Sequence, residues 1–218
     1  MTDAPPPLDR QVAFDLLAIG AVALAPEQPF TWASGRRAPI YCDNRLTLGF
    51  PSVRQRLADG FVRAIQALDE RPDVIAGTAT AGIPHAAWVA DRLDLPMAYV
   101  RSKPKGHGKG NQIEGLIEPG QRVVVIEDLI STGGSSLAAV RAVQAEGAIV
   151  DAVLAIFSYG FPEAEAAFAE AAVPCATLTT LATLLEVATE TGQLSPGAVA
   201  TLEAWRADAV AWSEAHTA

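Results

Sequence analysis

The sequence predicts an α/β fold: a mostly parallel sheet flanked by helices on both faces, with a small N-terminal hood, in a single domain spanning residues 1–218. Three observations carry this expectation. Between residues 74 and 178, short β-branched runs alternate with segments of helical periodicity, the order that produces parallel strands joined by crossover helices. Hydrophobic residues make up 50% of the chain and charged residues only 19%, enough apolar surface for a full core. The third is RVVVIE at 122–127, a nearly continuous apolar run of the kind found in strands covered on both faces.

Taken in order, residues 1–7 contain three consecutive prolines and read as a loose terminus, and 8–23 read as an amphipathic helix. Residues 8–50 together are expected to form this helix and the hood, with a second helix after Pro51 opening the core at 51–178. VIAG (74–77) reads as a short strand, 82–93 as a helix, MAYV (97–100) as a strand, and RVVVIE as the next. A helix is expected at 135–146, a strand at 149–159, an alanine-rich helix at 163–172, and VPCATL after it. Residues 179–218 should be helices packing on the sheet or on a partner, with Trp205 and Trp212 as packing residues. Parallel sheets bind ligands at the carboxyl ends of their strands, so the loops to watch are 78–82, 101–115 and 127–135.

Charge singles out one of them. Residues 1–110 carry 13 basic and 11 acidic side chains (+2), and the remainder carries 3 and 14 (−11), which sum to the net charge of −9. Such an acidic chain argues against a general nucleic-acid binder. Yet all three lysines, Lys103, Lys105 and Lys109, fall in RSKPKGHGKGNQ, with Arg101 before them and His107 between. That concentration points to a concentrated anion as ligand; the segment has no aromatic residue for base stacking. No apolar stretch reaches the ~18 residues of a membrane span, and MTDAPPPLDR lacks signal-peptide order, so a cytoplasmic protein without a membrane partner is expected. Cys42 and Cys175 have no metal-like or paired spacing and read as small buried hydrophobes, and His85 as a packed histidine. His216 falls in a tail expected to fray.

The loop after the central run carries the chemistry. In VVVIEDLISTGGSS (123–136) a buried strand runs into Glu127 and Asp128 and then into a small, glycine-rich turn that opens a helix. Backbone N–H groups of such a turn cradle a phosphate, and Ser131, Thr132 and Ser135 add hydroxyls. Two acids cannot favourably face that phosphate, so ribose hydroxyls or a hydrated divalent cation are their natural partners, and the combination suits a sugar phosphate. An ordinary capped turn would explain either acid alone better than it explains the whole string. There is no P-loop, no G-x-G-x-x-G after a strand and no G-x-S-x-G.

This string resembles the signature of the type I phosphoribosyltransferases. With FTWASGRRAPIYCDNRLTL (30–48), GTATAGIPHAA (77–87) and YVRSKPKGHGKGNQIEG (99–115), the chain is similar to the orotate phosphoribosyltransferases of the bacterial branch whose loop reads SKPKxHGKG. The resemblance implies transfer of a phosphoribosyl group from phosphoribosyl diphosphate to orotate, with Mg2+ as cofactor, held by the donor and water rather than by protein ligands. It assigns Glu127, Asp128, Leu129, Ile130, Ser131, Thr132, Gly133, Gly134 and Ser135 to the ribose and 5′-phosphate of the donor, with Ser131 also at orotate. It assigns Arg101, Lys105 and His107 to the diphosphate, and Thr78, Ala79, Thr80 and Ala81 to the tight turn beneath it. Lys105, His107 and Asp128 are the residues it places at the chemistry. The family lends its lysine loop across a homodimer, which implies shared active sites.

The chain departs from some relatives of the family. Ser102, Ala81 and Ala33 stand where they carry lysines, with Lys103 the candidate replacement, and Tyr159 or Gly160 falls near an arginine that grips orotate. Arg36, Arg37 and Arg45 are therefore candidates for the orotate carboxylate, as are backbone N–H groups. Two other readings compete: a transferase for a purine or another base, and a non-catalytic phosphoribosyl diphosphate sensor. The complete lysine loop disfavours the sensor, and SGRRAPIYCDNR is not the acceptor hood expected of a purine enzyme.

Overall fold

The computed structural model describes residues 6–103 and 112–216. Helix α1 (Leu8–Ala18) leads into β1 (Val22–Leu24), β2 (Phe30–Thr31), β3 (Arg37–Ala38), β4 (Ile40–Cys42) and a 3-10 helix (Asn44–Gly49). The core follows: α2 (Pro51–Gln66), β5 (Val74–Thr78), α3 (Gly82–Leu93), β6 (Met97–Val100), β7 (Ile113–Glu114), β8 (Arg122–Ile130), α4 (Gly134–Ala145), β9 (Ile149–Ser158), α5 (Pro162–Glu170) and β10 (Cys175–Thr180). Three helices close the chain: α6 (Leu181–Glu190), α7 (Pro196–Ala207) and α8 (Ala209–Ala215).

The main sheet has the order β10-β9-β8-β5-β6-β7, parallel throughout except for the antiparallel β6–β7 pair. Both of its faces are covered, and the period-2 alternation of β8 shows how. Val124 and Ile126 join one cluster with Leu57 and Phe61 of α2 and Val89 of α3, while Val123 and Val125 join the other with Val140 and Val143 of α4. Helix α2 owes its docking to Val53, Leu57, Phe61 and Ile65, buried at four-residue intervals behind a proline in the first turn. The chain steps from β5 outward to β6 on one side and from β8 outward to β9 and β10 on the other. The topological switch point therefore lies between β5 and β8.

Several local expectations need correction. Helix α1 ends at Ala18 rather than 23, because Gly20 turns left-handed (φ +73°) and Val22–Leu24 pairs with β4. β8 does not end at Glu127: Leu129 and Ile130 pair with Phe157 and Ser158 of β9, and this ladder overrides the poor strand propensity of two acids. Within 101–115, Ile113–Glu114 forms a strand against β6. Cys175 is exposed, at the start of the edge strand β10, rather than buried.

Trp205 and Trp212 are buried, as expected, and Trp205 meets Trp32 of the hood edge-on with ring centroids 5.7 Å apart. Helix α8 also touches the hood, where the Ser213 hydroxyl accepts from the Arg37 backbone N–H (2.8 Å). His216 does not fray: its ring stacks on Trp212 at 3.7 Å.

Candidate active site

The switch point is occupied by a cleft of about 460 Å³ to which three segments contribute: the turn after β5, the end of β8 with the turn into α4, and hood residues Cys42, Asp43 and Arg45. The first turn is shaped by close approach. A Cβ on Gly82 would sit 2.4 Å from the backbone oxygen of Ile126, so only glycine lets α3 begin this near to β8. Thr78, Ala79, Thr80 and Ala81 all line the cleft, the Ala79–Thr80 peptide is cis, and the Ala79 N–H donates to the carbonyl of Val100 (2.8 Å). The Thr78 hydroxyl is buried without a hydrogen-bond partner among the described residues.

The two acids both reach the cleft but occupy different environments. Glu127 is 4% exposed, and its carboxylate accepts from the hydroxyls of Ser136 (3.0 Å) and Ser135 (3.3 Å) and from the Asp128 N–H (3.1 Å). Burial, and then the neighbouring charge of Asp128, raise its pKa above the usual carboxylate range. Asp128 is only half-buried and lines the cleft; burial raises its pKa too. Its backbone carbonyl accepts from Asn44 Nδ2 (2.6 Å), and the Asn44 carbonyl in turn accepts from the Thr47 hydroxyl (2.6 Å). The hood is thereby fastened to the strand end that carries Asp128.

Beyond β8, Gly133 takes the left-handed conformation (φ +80°) as the N-cap of α4, and no side chain caps this helix. An ordinary capped turn would have closed off these N–H groups. Instead the first-turn amides of α4 are available to an anion, supported by the positive end of the helix dipole. Ser131, Thr132, Gly133, Gly134 and Ser135 all line the cleft around them.

The expected site residues thus divide into three groups. Thr78, Ala79, Thr80, Ala81, Glu127, Asp128, Leu129 and residues 131–135 come together around one cleft. Ile130 does not reach it, being 2% exposed and packed in the α4 cluster, and Arg101 stands outside it at the end of β6, paired with Glu114 (3.3 Å). Lys105 and His107 lie outside the described residues, as does Lys109. Sequence reasoning passed over Asp43 and Asn44. The signal was a polar triplet, DNR, between the apolar IYC and LTL, but its reach to Asp128, 84 residues away, is not a local property.

The cleft pairs an anion cradle with two carboxylates a few residues apart, beneath a hood that can cover a second ligand. Comparisons with known proteins agree with this chemistry. The phosphoribosyl transferase domain matches residues 52–178. The orotate phosphoribosyltransferase of Bacillus caldolyticus is 57% identical over 94% of this chain and 99% of its own, and that of Cutibacterium acnes is 54% identical over 95% and 96%. Among solved structures, the orotate phosphoribosyltransferase of Aeropyrum pernix superposes with a TM-score of 0.72 at 34% identity, covering 84% of this chain and 99% of that one. With the matched domain filling the sheet that builds the cleft and full-length relatives above half identity, the chain belongs to the orotate phosphoribosyltransferase family, within the type I phosphoribosyltransferases.

Proposed function

We infer that the protein transfers the phosphoribosyl group of 5-phospho-α-D-ribose 1-diphosphate to orotate, giving orotidine 5′-phosphate and diphosphate, a pentosyl transfer of pyrimidine nucleotide synthesis. The observation that carries it is the uncapped N-terminus of α4 set beside the carboxylate of Asp128 at the switch point. A 5′-phosphate on the α4 amides leaves the ribose hydroxyls of the same molecule to the carboxylates, with Asp128 the more open of the two. The anomeric C–O bond to diphosphate then breaks as N1 of orotate bonds to that carbon, and the N1 proton is released. Positive charge grows on the ribose, near Asp128, and negative charge on the leaving group.

Arg101, Lys105 and His107 are the residues that would hold the diphosphate, with Lys105 or His107 able to give it a proton. Thr78, Ala79, Thr80 and Ala81 form the floor beneath it. Mg2+ fits this cleft as an ion brought in by the donor. Diphosphate oxygens, ribose hydroxyls and water would hold it, rather than protein ligands. When bound, the ion neutralises charge on the departing diphosphate. A homodimer with sites completed by the partner's loop, working in the cytoplasm, accords with the family; no helix of the described residues is long and apolar enough to cross a membrane.

The test follows orotate absorbance with donor and Mg2+, beside uracil, adenine, hypoxanthine and xanthine. Orotate should be consumed only when donor and divalent cation are both present. Equal or faster turnover of a purine would overturn the assignment.

A further inference from the structure

We propose that Arg45 receives the carboxylate of the acceptor through the guanidinium edge that Asp43 leaves free, and so sets the preference for orotate over neutral pyrimidines. The proposal deepens the transferase reading above and rests on it. Orotate is an anion that must enter a cleft lined by three carboxylates, Asp43, Glu127 and Asp128. Without a cation the approach is repulsive. Among the described residues lining the cleft, Arg45 is the one cation.

The other candidates are placed elsewhere. Arg37, on β3, donates to the Thr31 hydroxyl (3.0 Å) and lines no part of the cleft, and Arg36, exposed in the turn that precedes it, lines none either. Tyr159 is 3% exposed, its ring 5.3 Å from Trp205 and 5.4 Å from Phe161, and Gly160 lines a separate cavity beside Phe168. Neither lines this cleft.

Arg45 itself is pre-aimed. Asp43 caps the 3-10 helix by accepting from the Arg45 backbone N–H (3.1 Å), and its two oxygens take Arg45 Nε (2.6 Å) and one Nη (2.7 Å). A guanidinium has five N–H donors in a rigid fork, so this clamp uses one edge and leaves the pair of terminal nitrogens for a second carboxylate. The Arg45 side chain is 65% exposed and can meet an incoming ligand without opening the core. Asp43 is then a positioning residue, fixing which edge of Arg45 faces out. A neutral pyrimidine gains nothing from this edge, which is how the pair discriminates.

The experiment uses Arg45→Gln, Arg45→Lys and Asp43→Asn, each checked by thermal melting. Steady-state kinetics with orotate are combined with calorimetric binding of orotidine 5′-phosphate and uridine 5′-phosphate, which differ only in the carboxylate. Arg45→Gln should raise the orotate KM about 10- to 100-fold, with the donor KM changed less than about threefold. It should weaken orotidine 5′-phosphate by a similar factor while leaving uridine 5′-phosphate nearly unchanged. Arg45→Lys should recover part of the loss as a point charge, and Asp43→Asn should lose less than Arg45→Gln. An unchanged orotate KM in Arg45→Gln overturns the proposal, and so does equal weakening of both nucleotides, which would assign Arg45 to the ribose phosphate or to folding. Failure of the parent protein to turn over orotate strikes the transferase reading itself, and is told apart by appearing before any substitution.

Discussion

Replacing Gly82 with alanine adds one methyl group at the tightest contact beside the cleft. The new Cβ would lie 2.4 Å from the Ile126 carbonyl oxygen, 3.3 Å from its carbon and 3.4 Å from the Glu127 Cα. A carbon normally stays about 3.3 Å or more from such an oxygen, so close to 1 Å must be found by backbone movement. Neither side can yield cheaply. β8 is laddered to β5 and β9, and α3 is wedged against β5 by Gly77, whose own Cβ would come within 2.9 Å of the Ile83 Cα. Overpacking of this kind costs about 1–3 kcal/mol, and at about 2–4 °C per kcal/mol for a chain of this length the melting temperature should fall by about 2–12 °C.

The loss of activity should exceed what unfolding explains, because the atoms that move adjoin Glu127 and Asp128. A displacement of that order can cost about 10²-fold in kcat. Gly197→Ala is the control: nothing lies within 4 Å of its Cβ, it sits in the first turn of α7, and it should be neutral or slightly stabilising. Melting curves and orotate kinetics at a temperature where all variants are folded decide the matter. If Gly82→Ala melts and turns over like the parent, the close approach of α3 to β8 does not shape this site.

Asp128→Asn should lower kcat by about 10²-fold or more with little change in melting, since Asp128 is half-buried at the cleft; unfolding with full activity in the soluble fraction would make it a structural group. Lys105→Ala should lower kcat more than donor affinity while Lys109→Ala matters little, and the reverse ranking would show that the loop is misaligned to the family. Mixing inactive Asp128→Asn with inactive Lys105→Ala should restore partial activity after subunit exchange, and none if each subunit is self-contained. His85 is buried beside Phe61 and Trp88, and burial pushes its pKa down to about 4. The unfolded chain, with a histidine near its ordinary 6.5, binds more protons between these values, so this residue's contribution is intact above pH 6.5 and lost as pH falls toward 4. At about 1.4 kcal/mol per pH unit the loss approaches 3 kcal/mol. Denaturant titrations of parent and His85→Gln at pH 7 and pH 4.5 should show the parent losing more stability, and parallel losses would refute the assignment.

The sequence by itself determined the sheet and its covering. The periods of RVVVIE, VIAG and 82–93 are local, and each element lies within a few residues of where periodicity put it. It also determined the cradle, because a strand, two acids and a Gly-rich helix start are contiguous in the chain. Tertiary structure alone decided what each acid does. Glu127 and Asp128 are adjacent and chemically alike, and only the serines of α4 and the hood distinguish the buried, satisfied carboxylate from the open one. It likewise decided where β8 ends, since a partner strand supplied hydrogen bonds that local propensity could not foresee. Among Arg36, Arg37 and Arg45, three arginines within ten residues, it put a single one at the cleft. The physical reason is common to all three cases: burial, pairing and charge environment are set by residues far apart in the chain, and the order of residues encodes them only through the fold.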